Sequence, residues 1–364
     1  MMDSVDVKSS SGTYTITTGR SILENKLRKI KERQSFESCF LFVDENVWKH
    51  HESRITHAFD TAGYTYQTRI VPAGEKSKSL SQWEELTDYL LASGVRRNTP
   101  LFALGGGVTG DLAGFAASTT LRGIPLIHIP TTLLAMVDSS IGGKTGVNHS
   151  TGKNLVGSFY QPLEVIADID FLDTLPDREW TNGLSEILKY GAIRDEQIIE
   201  DAELFLKYGK PIEYLTELSE LILKCAKIKA DIVEEDEFEA GSRAYLNFGH
   251  TFAHALEKVA DFNLLSHGEA VYLGMLAAIK LSKLKEAEID DSSFRRFRKL
   301  YSFQITGKTL NMENLLQAMK LDKKVVDKNY RFVLLQDWQQ PIVTSVTNVG
   351  LIKKAWLTVI NELS

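Results

Sequence analysis

The apolar pattern of the chain changes near residue 178, and this change constrains the fold more than any other feature. Before it, short strand-like runs alternate with helical ones, which predicts a mostly parallel sheet with helices on its faces. After it, the period is helical almost throughout, with one late strand-like run at 330–335. The earlier strand-like runs lie at 13–17, 39–43, 64–71, 101–104, 126–129 and 165–167.

The length of the chain indicates more than one domain. Its 364 residues exceed one average domain, so we expect two. The change in pattern divides the sequence into an α/β N-terminal domain, residues 1–178, and an all-α C-terminal domain, residues 179–364.

Charge and cysteine content exclude several classes of protein. The formal net charge is −6, whereas a general nucleic-acid-binding protein carries a basic surface. Cys39 and Cys225 are the two cysteines, so we expect neither a disulfide framework nor a thiolate metal site, and a reducing cytoplasm suits the chain. The start of the sequence lacks the apolar segment of a signal peptide, and the longest apolar run, 270–279, is too short to span a bilayer.

A glycine-rich turn follows the strand-like run at 101–104. Gly105, Gly107 and Gly110 match the G-x-G-x-x-G spacing, and a helical run at 111–117 comes next. Glycines allow positive φ and close approach of a ligand to the backbone, and a helix N-terminus offers N–H groups to a pyrophosphate. The turn therefore predicts a dinucleotide phosphate site, although a plain strand-to-helix turn also explains the glycines.

An acidic residue that binds the cofactor ribose is expected at the end of a neighbouring strand. The glycine turn is not the first strand-to-helix turn of the chain, so the acid need not follow it by about twenty residues. Asp44, directly after the run at 39–43, is the candidate. A helix N-cap explains Asp44 equally well.

The stretch at 130–162 is glycine-rich and weakly charged. Its charged residues are Asp138, Lys144 and Lys153. We interpret the stretch as a long loop, too polar for a core element, that wraps a small anionic ligand. The alternative is a surface loop whose lysines are solvated.

Three residues in three separate motifs could bind one metal ion. They are Glu186 in GLSEILKYG, His250 in LNFGHTFAHALE and His267 in LLSHGEAV. Catalytic zinc uses three ligands of the His₂Glu kind and leaves one position open for a substrate oxygen. A metal together with a nicotinamide cofactor indicates redox chemistry at a carbinol carbon.

The local spacing of the histidines also permits a different ligand set. His250 and His254 are four residues apart on a predicted helix, and two histidines at that spacing are a familiar chelating pair. Under this alternative, His267 is free for acid–base work. A packing role explains a single histidine about as well.

Several cationic residues lie beside glycine, histidine or acidic residues. A multiply anionic substrate, such as a sugar phosphate carboxylate, needs a local cationic pocket on a net-acidic protein, although each cation alone is more often a solvated surface charge. Lys189 lies three residues after Glu186, on the same helical face, which predicts a cation beside the metal. The cationic set is Lys144, Lys153, Lys189, Lys229, Arg243, Lys323 and Lys324.

Long strings of this sequence closely resemble the 3-dehydroquinate synthase family of sugar-phosphate cyclases. They are LGGGVTGDLAGFAASTTLRGIPLIHIPTTLLAMVDSSIGGKTGVNHSTGKN, GLSEILKYG, RAYLNFGHTFAHALE, HGEAV and the late DKK. The resemblance runs from about residue 71 to residue 332. It implies an N-terminal NAD-binding α/β domain followed by an α-helical domain that binds metal and substrate.

The resemblance also implies a role for individual residues. It places the metal on Glu186, His250 and His267 and leaves His254 for the substrate. The implied substrate contacts are Asp138, Lys144, Asn154, Lys189, Lys229, Arg243, Asn247, His254 and one of Lys323 and Lys324. The implied NAD contacts are Asp44, Glu75, Lys78, Gly107, Val108, Gly110, Asp111, Thr131, Thr132, Lys144, Lys153, Phe171 and Thr174. Arg122 resembles a family arginine that reaches across a dimer interface, which implies a homodimer.

The implied reaction converts 3-deoxy-D-arabino-heptulosonate 7-phosphate to 3-dehydroquinate and phosphate. It uses NAD catalytically and a divalent metal, Zn²⁺ or Co²⁺, and it belongs to the shikimate pathway. One departure from the family pattern is Ala73, which stands where an aspartate is usual, so one adenosine-side contact is expected to be missing or replaced. A second is an extra residue before His267.

Two rival functions remain at the level of sequence, besides a non-catalytic binding module. A metal-dependent alcohol or glycerol dehydrogenase shares this general architecture and consumes NAD. Related cyclases make inosose or valiolone products, but they are disfavoured because their substrates lack the carboxylate that is suited by Lys229, Arg243, Asn247 and His254.

Overall fold

The strand-like runs of the N-terminal half pair into one seven-stranded sheet in the computed structural model of the protein. The structure describes residues 2–260, 264–306, 310–320, 325–326 and 329–363. The strands up to residue 168 are β1 Met2–Ser9, β2 Gly12–Gly19, β3 Ser38–Asp44, β4 Thr65–Val71, β5 Leu101–Gly105, β6 Leu126–Pro130, β7 Lys144–His149, β8 Gly152–Phe159 and β9 Glu164–Asp168.

The sheet is parallel except at one edge. Its strand order is β1-β2-β9-β6-β5-β3-β4, and only the β1–β2 pair is antiparallel. Each strand-like run of this half corresponds to a strand, and β1 was not predicted. The chain passes from β3 to β4 on one side and then returns to place β5 on the other side of β3. The carboxyl ends of β3 and β5 therefore flank a topological switch point, where open α/β sheets bind ligands.

The helices alternate with the strands up to residue 119 and dominate after residue 176. They are α1 Leu23–Gln34, α2 Glu45–Thr61, α3 Leu80–Ala92, α4 Gly107–Thr119, α5 Asp177–Ile193, α6 Gln197–Asp201, α7 Glu203–Tyr208, α8 Leu215–Glu235, α9 His250–Val259, α10 His267–Lys283, α11 Ser292–Arg295, α12 Met312–Lys320 and α13 Val349–Glu362.

Successive side chains of the central strands enter two different cores. Leu41 and Val43 of β3 face α1 and α2, whereas Phe40 and Phe42 face α3 and α4. Both sets are buried, as expected for strands covered by helices on both faces. This double coverage explains why β3 and β5 read as continuous apolar runs.

The chain divides into two compact units. Unit 1 comprises Met1–Leu175 and Ile212–Phe238, and unit 2 comprises Pro176–Pro211 and Glu239–Ser364. The first boundary lies three residues from the predicted one at 178. The prediction placed all of residues 179–364 in the second domain, whereas α8, which lies within that range, belongs to unit 1.

Helix α8 joins unit 1 because its small residues pack on the antiparallel edge of the sheet. Ala226 and Ala230 are buried with Tyr14 of β2 and Val165 of β9. The backbone N–H of Lys8 also donates a hydrogen bond to a carboxylate near the end of α8, that of Glu234, at 2.7 Å. The helical period predicts α8 itself, but it does not reveal which sheet the helix covers.

The prediction of a long loop at 130–162 is wrong for most of that stretch. Residues Ala135–Ser139 form a π-helical turn, and β7 and β8 pair as an antiparallel hairpin. Gly146 and Gly157 face each other across the hairpin, where a Cβ on Gly157 would lie 2.1 Å from the carbonyl oxygen of Thr145. The glycines that suggested a loop are therefore required by the close approach of two strands.

Unit 2 is helical around α10, which is buried along nearly its whole length. A helix that is apolar on all sides belongs in a core, and α5, α9 and α13 pack against α10. The all-α prediction omits a small antiparallel sheet of β10 Val325–Val326, β11 Asn329–Leu335 and β12 Pro341–Val346. The strand-like run at 330–335 is β11. Over the described residues, none of the helices has the length and apolar character needed to span a bilayer.

A buried carboxylate fixes the end of β9 to the start of α1. Asp168 is fully buried and accepts hydrogen bonds from the backbone N–H groups of Ser21 at 3.1 Å and Leu23 at 3.0 Å. The guanidinium of Arg54 on α2 lies 2.8 Å from the same carboxylate. Because burial of a carboxylate is costly unless it is paired and hydrogen-bonded, Asp168 links three elements of unit 1.

We expect Asp168→Ala to lower the free energy of unfolding by about 3–5 kcal/mol, since it removes the acceptor of two backbone N–H groups and the nearer of the two carboxylate partners of Arg54. Arg20→Ala is the matched control. Arg20 pairs with Asp170 at 2.9 Å, but its side chain is 61% exposed, so we expect a much smaller loss than for Asp168→Ala. Urea unfolding followed by circular dichroism measures both, and equal losses would contradict the prediction.

Candidate functional site

Three helices of unit 2 bring together the predicted metal ligands. Glu186 lies on α5, His250 is the first residue of α9, and His267 is the first residue of α10. One ligand atom from each residue lies within 4.8 Å of the other two. A carboxylate and two imidazoles at such distances form a group that could hold one metal ion.

The outer nitrogen of each imidazole is engaged, which orients the ring. His250 Nδ1 lies 3.1 Å from the carbonyl oxygen of Phe248, and His267 Nδ1 lies 3.3 Å from Glu257 Oε1. Both partners are acceptors, so each Nδ1 carries the hydrogen and each Nε2 is left as the metal-facing atom.

The distances between the metal-facing atoms fit a tetrahedral ion. Glu186 Oε1 lies 3.7 Å from His250 Nε2 and 3.6 Å from His267 Nε2. Ligand atoms of tetrahedral zinc, with bonds of about 2.1 Å, stand about 3.4 Å apart. The observed distances exceed a hydrogen bond and match the space that an ion requires.

The charges around these atoms also suit a cation. Glu186 is fully buried, and Lys189 Nζ forms an ion pair with it, as the i, i+3 spacing predicts. Burial lowers the pKa of His267, but the negative charges of Glu186 and Glu257 and the hydrogen bond to Glu257 outweigh it and raise that pKa to about 10. His267 thus stands between two carboxylates, and a divalent cation would neutralise their excess charge.

Two glycines allow the three helices to meet. Gly249 has φ +80°, and a Cβ there would lie 2.6 Å from Met275 Cγ. A Cβ on Gly268 would lie 2.4 Å from Asn182 Cα, and the Gly268 N–H donates to Asn182 Oδ1 at 2.9 Å. The start of α9 therefore abuts α10, and the first turn of α10 is fixed on α5. A side chain at either position would separate the ligands.

The geometry favours one of the two ligand sets left open by the sequence. His254 packs its ring edge-on against His250, with centroids 5.8 Å apart, and within the described residues the ligand cluster does not include it. His267, which the i, i+4 rule left free, is in the cluster instead. The set Glu186, His250 and His267 stays a prediction that the geometry supports.

The glycine turn lies in unit 1 at the carboxyl end of β5. Helix α4 begins at Gly107, four residues earlier than predicted, so the N–H groups of its first turn lie within the glycine motif. None of Gly105, Gly107 and Gly110 has positive φ. The structure gives a different reason for Gly105, because a Cβ there would lie 2.6 Å from Thr109 Cβ. Close approach of a ligand to this turn stays a prediction.

Asp44 closes β3 on the other side of the switch point. Its carboxylate is the N-cap of α2 and accepts a hydrogen bond from Asn46 N at 2.9 Å. Burial raises the pKa of Asp44, and the cap hydrogen bonds only partly oppose the effect. Asp44 therefore caps α2 with one carboxylate oxygen, as the alternative interpretation predicts. The helix cap does not use the second carboxylate oxygen, which could accept a hydrogen bond from a ligand.

Two lysines of unit 1 are held by acidic or amide groups. Lys78 is buried, forms an ion pair with Asp111 on α4 and donates to Asn154 Oδ1 at 2.5 Å. Burial raises the pKa of Asp111, and the charge of Lys78 opposes the shift. Lys229 on α8 donates to Asp138 Oδ1 at 2.8 Å. Five of the predicted contacts are thus bound to one another in two groups, Lys78 with Asp111 and Asn154, and Lys229 with Asp138.

The segment after β9 has its aromatic side chain in the core. Phe171 is 1% exposed, and it packs against the His51 ring at 5.0 Å and under the Arg54 guanidinium at 4.6 Å. Only its main chain could therefore face a cofactor. His51 Nε2 also lies 2.7 Å from Thr174 Oγ1.

The remaining predicted residues fall in both units. Thr131 and Thr132 follow β6. Arg243 is buried, and Asn247 donates to Glu239 Oε1 at 2.8 Å. Lys323 and Lys324 lie outside the described residues. The other positions are Glu75 in a 3-10 turn, Val108 on α4, Arg122 in a 3-10 turn, Lys144 on β7 and Lys153 on β8.

A small cavity lies beside the glycine turn. Gly105, Gly106, His128 and Ser139 are among the residues that line the cavity. Within the described part of the chain, the hydroxyls of Thr131 and Ser139 are buried and have no hydrogen-bond partner. Buried polar atoms without partners are rare, and they fit a site that a polar ligand completes.

Comparison with known proteins identifies the family to which the chain belongs. A model of the 3-dehydroquinate synthase N-terminal domain matches residues 68–182, and a model of the C-terminal domain matches residues 183–325. The chain belongs to the 3-dehydroquinate synthase family. It is 44% identical to the 3-dehydroquinate synthase of Salinibacter ruber over 87% of either chain, and 46% identical to that of Nitrosospira multiformis over 74% of either chain.

Solved structures outside the 3-dehydroquinate synthases share the fold. A 2-deoxy-scyllo-inosose synthase complexed with carbaglucose-6-phosphate, NAD⁺ and Co²⁺ has a TM-score of 0.84 and 27% identity, covering 97% of this chain and 98% of that one. A glycerol dehydrogenase from Schizosaccharomyces pombe has a TM-score of 0.62 and 18% identity, covering 95% and 89%. The second likeness concerns the fold alone.

Sequence reasoning missed one residue that supports the candidate ligand cluster in this 3-dehydroquinate synthase family member. Glu257 lies seven residues after His250, two turns along α9, and its carboxylate orients His267. The i, i+7 spacing could have placed Glu257 on the face of His250. Nothing in the sequence shows that His267, from another helix, meets that face.

Sequence reasoning also missed the role of His128, whose burial predicts how the stability of the protein depends on pH. Burial lowers the pKa of His128 from 6.5 to about 4, so the folded protein keeps it neutral while the unfolded chain protonates it below about pH 6.5. Stability is therefore complete above pH 6.5 and falls as the pH drops towards 4. We expect His128→Gln to reduce the loss of unfolding free energy between pH 7 and pH 4.5 by about 2 kcal/mol.

Urea unfolding of the wild type and His128→Gln at both pH values measures this difference. The comparison cancels the titration of all groups that the two proteins share. An identical loss in both proteins would contradict the assignment of a neutral, buried His128.

Proposed function

We propose that this protein is a 3-dehydroquinate synthase that converts 3-deoxy-D-arabino-heptulosonate 7-phosphate to 3-dehydroquinate and phosphate, with NAD and a divalent metal ion as cofactors. The observation that carries the proposal is that the models of both family domains match the chain. Within the segment matched by the C-terminal model, Glu186, His250 and His267 converge.

The metal ligands in this proposal are Glu186, His250 and His267, and the metal is Zn²⁺ or Co²⁺. When bound, the metal would supply Lewis acidity towards a carbinol oxygen, and NAD⁺ would supply reversible hydride-acceptor chemistry, so that neither would be consumed. The three side chains hold this position open on one side, since three protein ligands leave part of the coordination sphere for substrate.

The buried cations of unit 2 have the proposed task of binding the substrate. Lys189 stays beside the Glu186 carboxylate and can donate to an oxygen near the metal. Arg243 is 1% exposed, and its planar guanidinium suits a carboxylate. With Asn247 and His254, it forms the proposed set that recognises the substrate carboxylate.

Unit 1 has the proposed task of binding NAD. The first turn of α4, Gly107 to Asp111, offers N–H groups to the pyrophosphate. Asp44 can accept a ribose hydroxyl at the end of β3. The other proposed contacts are Glu75, Lys78, Thr131, Thr132, Lys144, Lys153, and the segment from Phe171 to Thr174. In unit 1, the proposed substrate contacts are Asp138, Lys144, Asn154 and Lys229.

The protein is further proposed to act as a cytoplasmic homodimer in which Arg122 completes the site of the partner subunit. Arg122 is exposed, and both it and Leu121 have positive φ, at 66° and 51°. Left-handed backbone at two successive non-glycine residues is strained and persists where the position of a side chain matters.

A metal-dependent dehydrogenase is the second candidate, because glycerol and alcohol dehydrogenases share the fold. A dehydrogenase consumes NAD⁺, whereas a cyclase regenerates it. Inosose and valiolone cyclases have TM-scores of 0.84 but 27% and 24% identity, whereas 3-dehydroquinate synthases reach 46% identity. The higher identity supports the carboxylated substrate.

The first test of this proposal measures phosphate and NADH together. With the heptulosonate phosphate and substoichiometric NAD⁺, we expect many equivalents of phosphate and dehydroquinate, no accumulation of NADH, and loss of activity after chelation that Zn²⁺ or Co²⁺ restores. Accumulation of NADH in proportion to product would indicate a dehydrogenase instead.

The second test separates the two ligand sets. We expect His267→Ala to lower zinc affinity by at least about tenfold and His254→Ala to leave it within about twofold, since only His267 lies in the ligand cluster. Competition with a chromophoric chelator measures affinity without substrate. Full affinity in His267→Ala, or its loss in His254→Ala, would contradict the assignment.

A further inference from the structure

Asn148 has no role in the proposed function, but it connects residues of unit 1 that do have one. Asn148 lies near the end of β7, half-buried, beside the 3-10 turn Glu75–Ser77. We propose that Asn148 is a positioning residue for the dinucleotide, which it serves by holding Glu75 and Asn154 in place. This inference rests on the proposed function.

The side chain of Asn148 uses its donor and its acceptor on two different segments. Its Nδ2 donates to Glu75 Oε1 at 2.7 Å, and its Oδ1 accepts from the backbone N–H of Asn154 at 3.0 Å. A carboxylate can only accept and an N–H can only donate, so the orientation of the amide is fixed. The backbone N–H of Asn148 also donates to the carbonyl oxygen of Lys78 at 2.9 Å.

These contacts join a chain of side chains that includes four of the proposed site residues. Lys78 donates to Asn154 Oδ1 at 2.5 Å and pairs with Asp111 in α4. The sequence of contacts runs from Glu75 through Asn148 and Asn154 to Lys78 and Asp111. Movement of Asn148 would therefore reach the glycine turn through hydrogen bonds alone.

The backbone of Asn154 needs this support. Its φ is +55°, in the left-handed region that non-glycine residues adopt at a cost. The hydrogen bond from its N–H to Asn148 Oδ1 fixes that conformation across the hairpin turn. Asn154 can then present its side chain to Lys78.

Asparagine is the residue type that these contacts require. Alanine supplies neither hydrogen bond. Aspartate keeps the acceptor for Asn154 but loses the donor and places a carboxylate against Glu75, where like charges repel. This difference gives a test in which the effect at position 148 depends on the residue at position 75.

The experiment measures NAD⁺ dissociation constants by titration calorimetry of the metal-loaded protein without substrate. We expect Asn148→Ala to weaken binding about threefold to fivefold and Asn148→Asp about tenfold. In a Glu75→Gln background, the new amide can donate to the new carboxylate. We therefore expect Asn148→Asp to weaken binding there by no more than about twofold, a non-additivity that a general structural defect does not produce.

His149→Ala is the matched control. His149 is exposed, and its ring bonds only Thr151 among the described residues, at 2.9 Å, so we expect NAD⁺ affinity within about twofold of the wild type. Unchanged affinity in Asn148→Ala, or the same factor for Asn148→Asp in both backgrounds, would overturn the inference while leaving the proposed function intact. A wild type that does not bind NAD⁺ overturns both.

Discussion

The buried charge of Glu186 is the constraint on which unit 2 depends. A carboxylate with no exposed surface costs several kcal/mol in lost hydration unless cations and polar groups surround it. Lys189 and His267 provide this compensation in the absence of a metal. The polar centre of a helical domain is thus stable only because α5, α9 and α10 meet at fixed positions, which the close approaches of Gly249 and Gly268 permit.

In unit 1, hydrogen bonds between loops hold the polar groups at fixed positions. The carboxyl ends of its parallel strands bring Asp44, the glycine turn and Thr131 to one edge of the sheet, as the topology dictates. Strand ends do not by themselves orient side chains on loops. Asn148 and Lys78 perform this task by joining the β7–β8 hairpin to α4. A rigid sheet with cross-linked loops explains how polar groups can be held ready for an anionic ligand.

The sequence predicts the helices and strands that follow from a local apolar period. It does not predict features that depend on contacts between distant parts of the chain. The strands of the parallel sheet follow from apolar runs. The β7–β8 hairpin was missed because its glycines, which suggested a loop, are required by contact between strands. Helix α8 was assigned to the wrong half of the chain by position, because no local signal shows that Ala226 and Ala230 cover the edge of the sheet. The family resemblance supplied the site residues that spacing alone could not select.

The histidines show that a spacing rule identifies which residues share one face of a helix, but not which other helices pack against that face. His250 and His254 share a face of α9, yet the atoms that meet His250 come from α5 and α10. The backbone contact between Gly249 and α10 decides this, since it brings His267 within reach and leaves His254 edge-on. The same face of α9 then supplies Glu257, which orients His267. One helix therefore contributes a proposed ligand at its start and the support for a second proposed ligand near its end, and a geometry built across helices in this way can only be found after the helices have been packed.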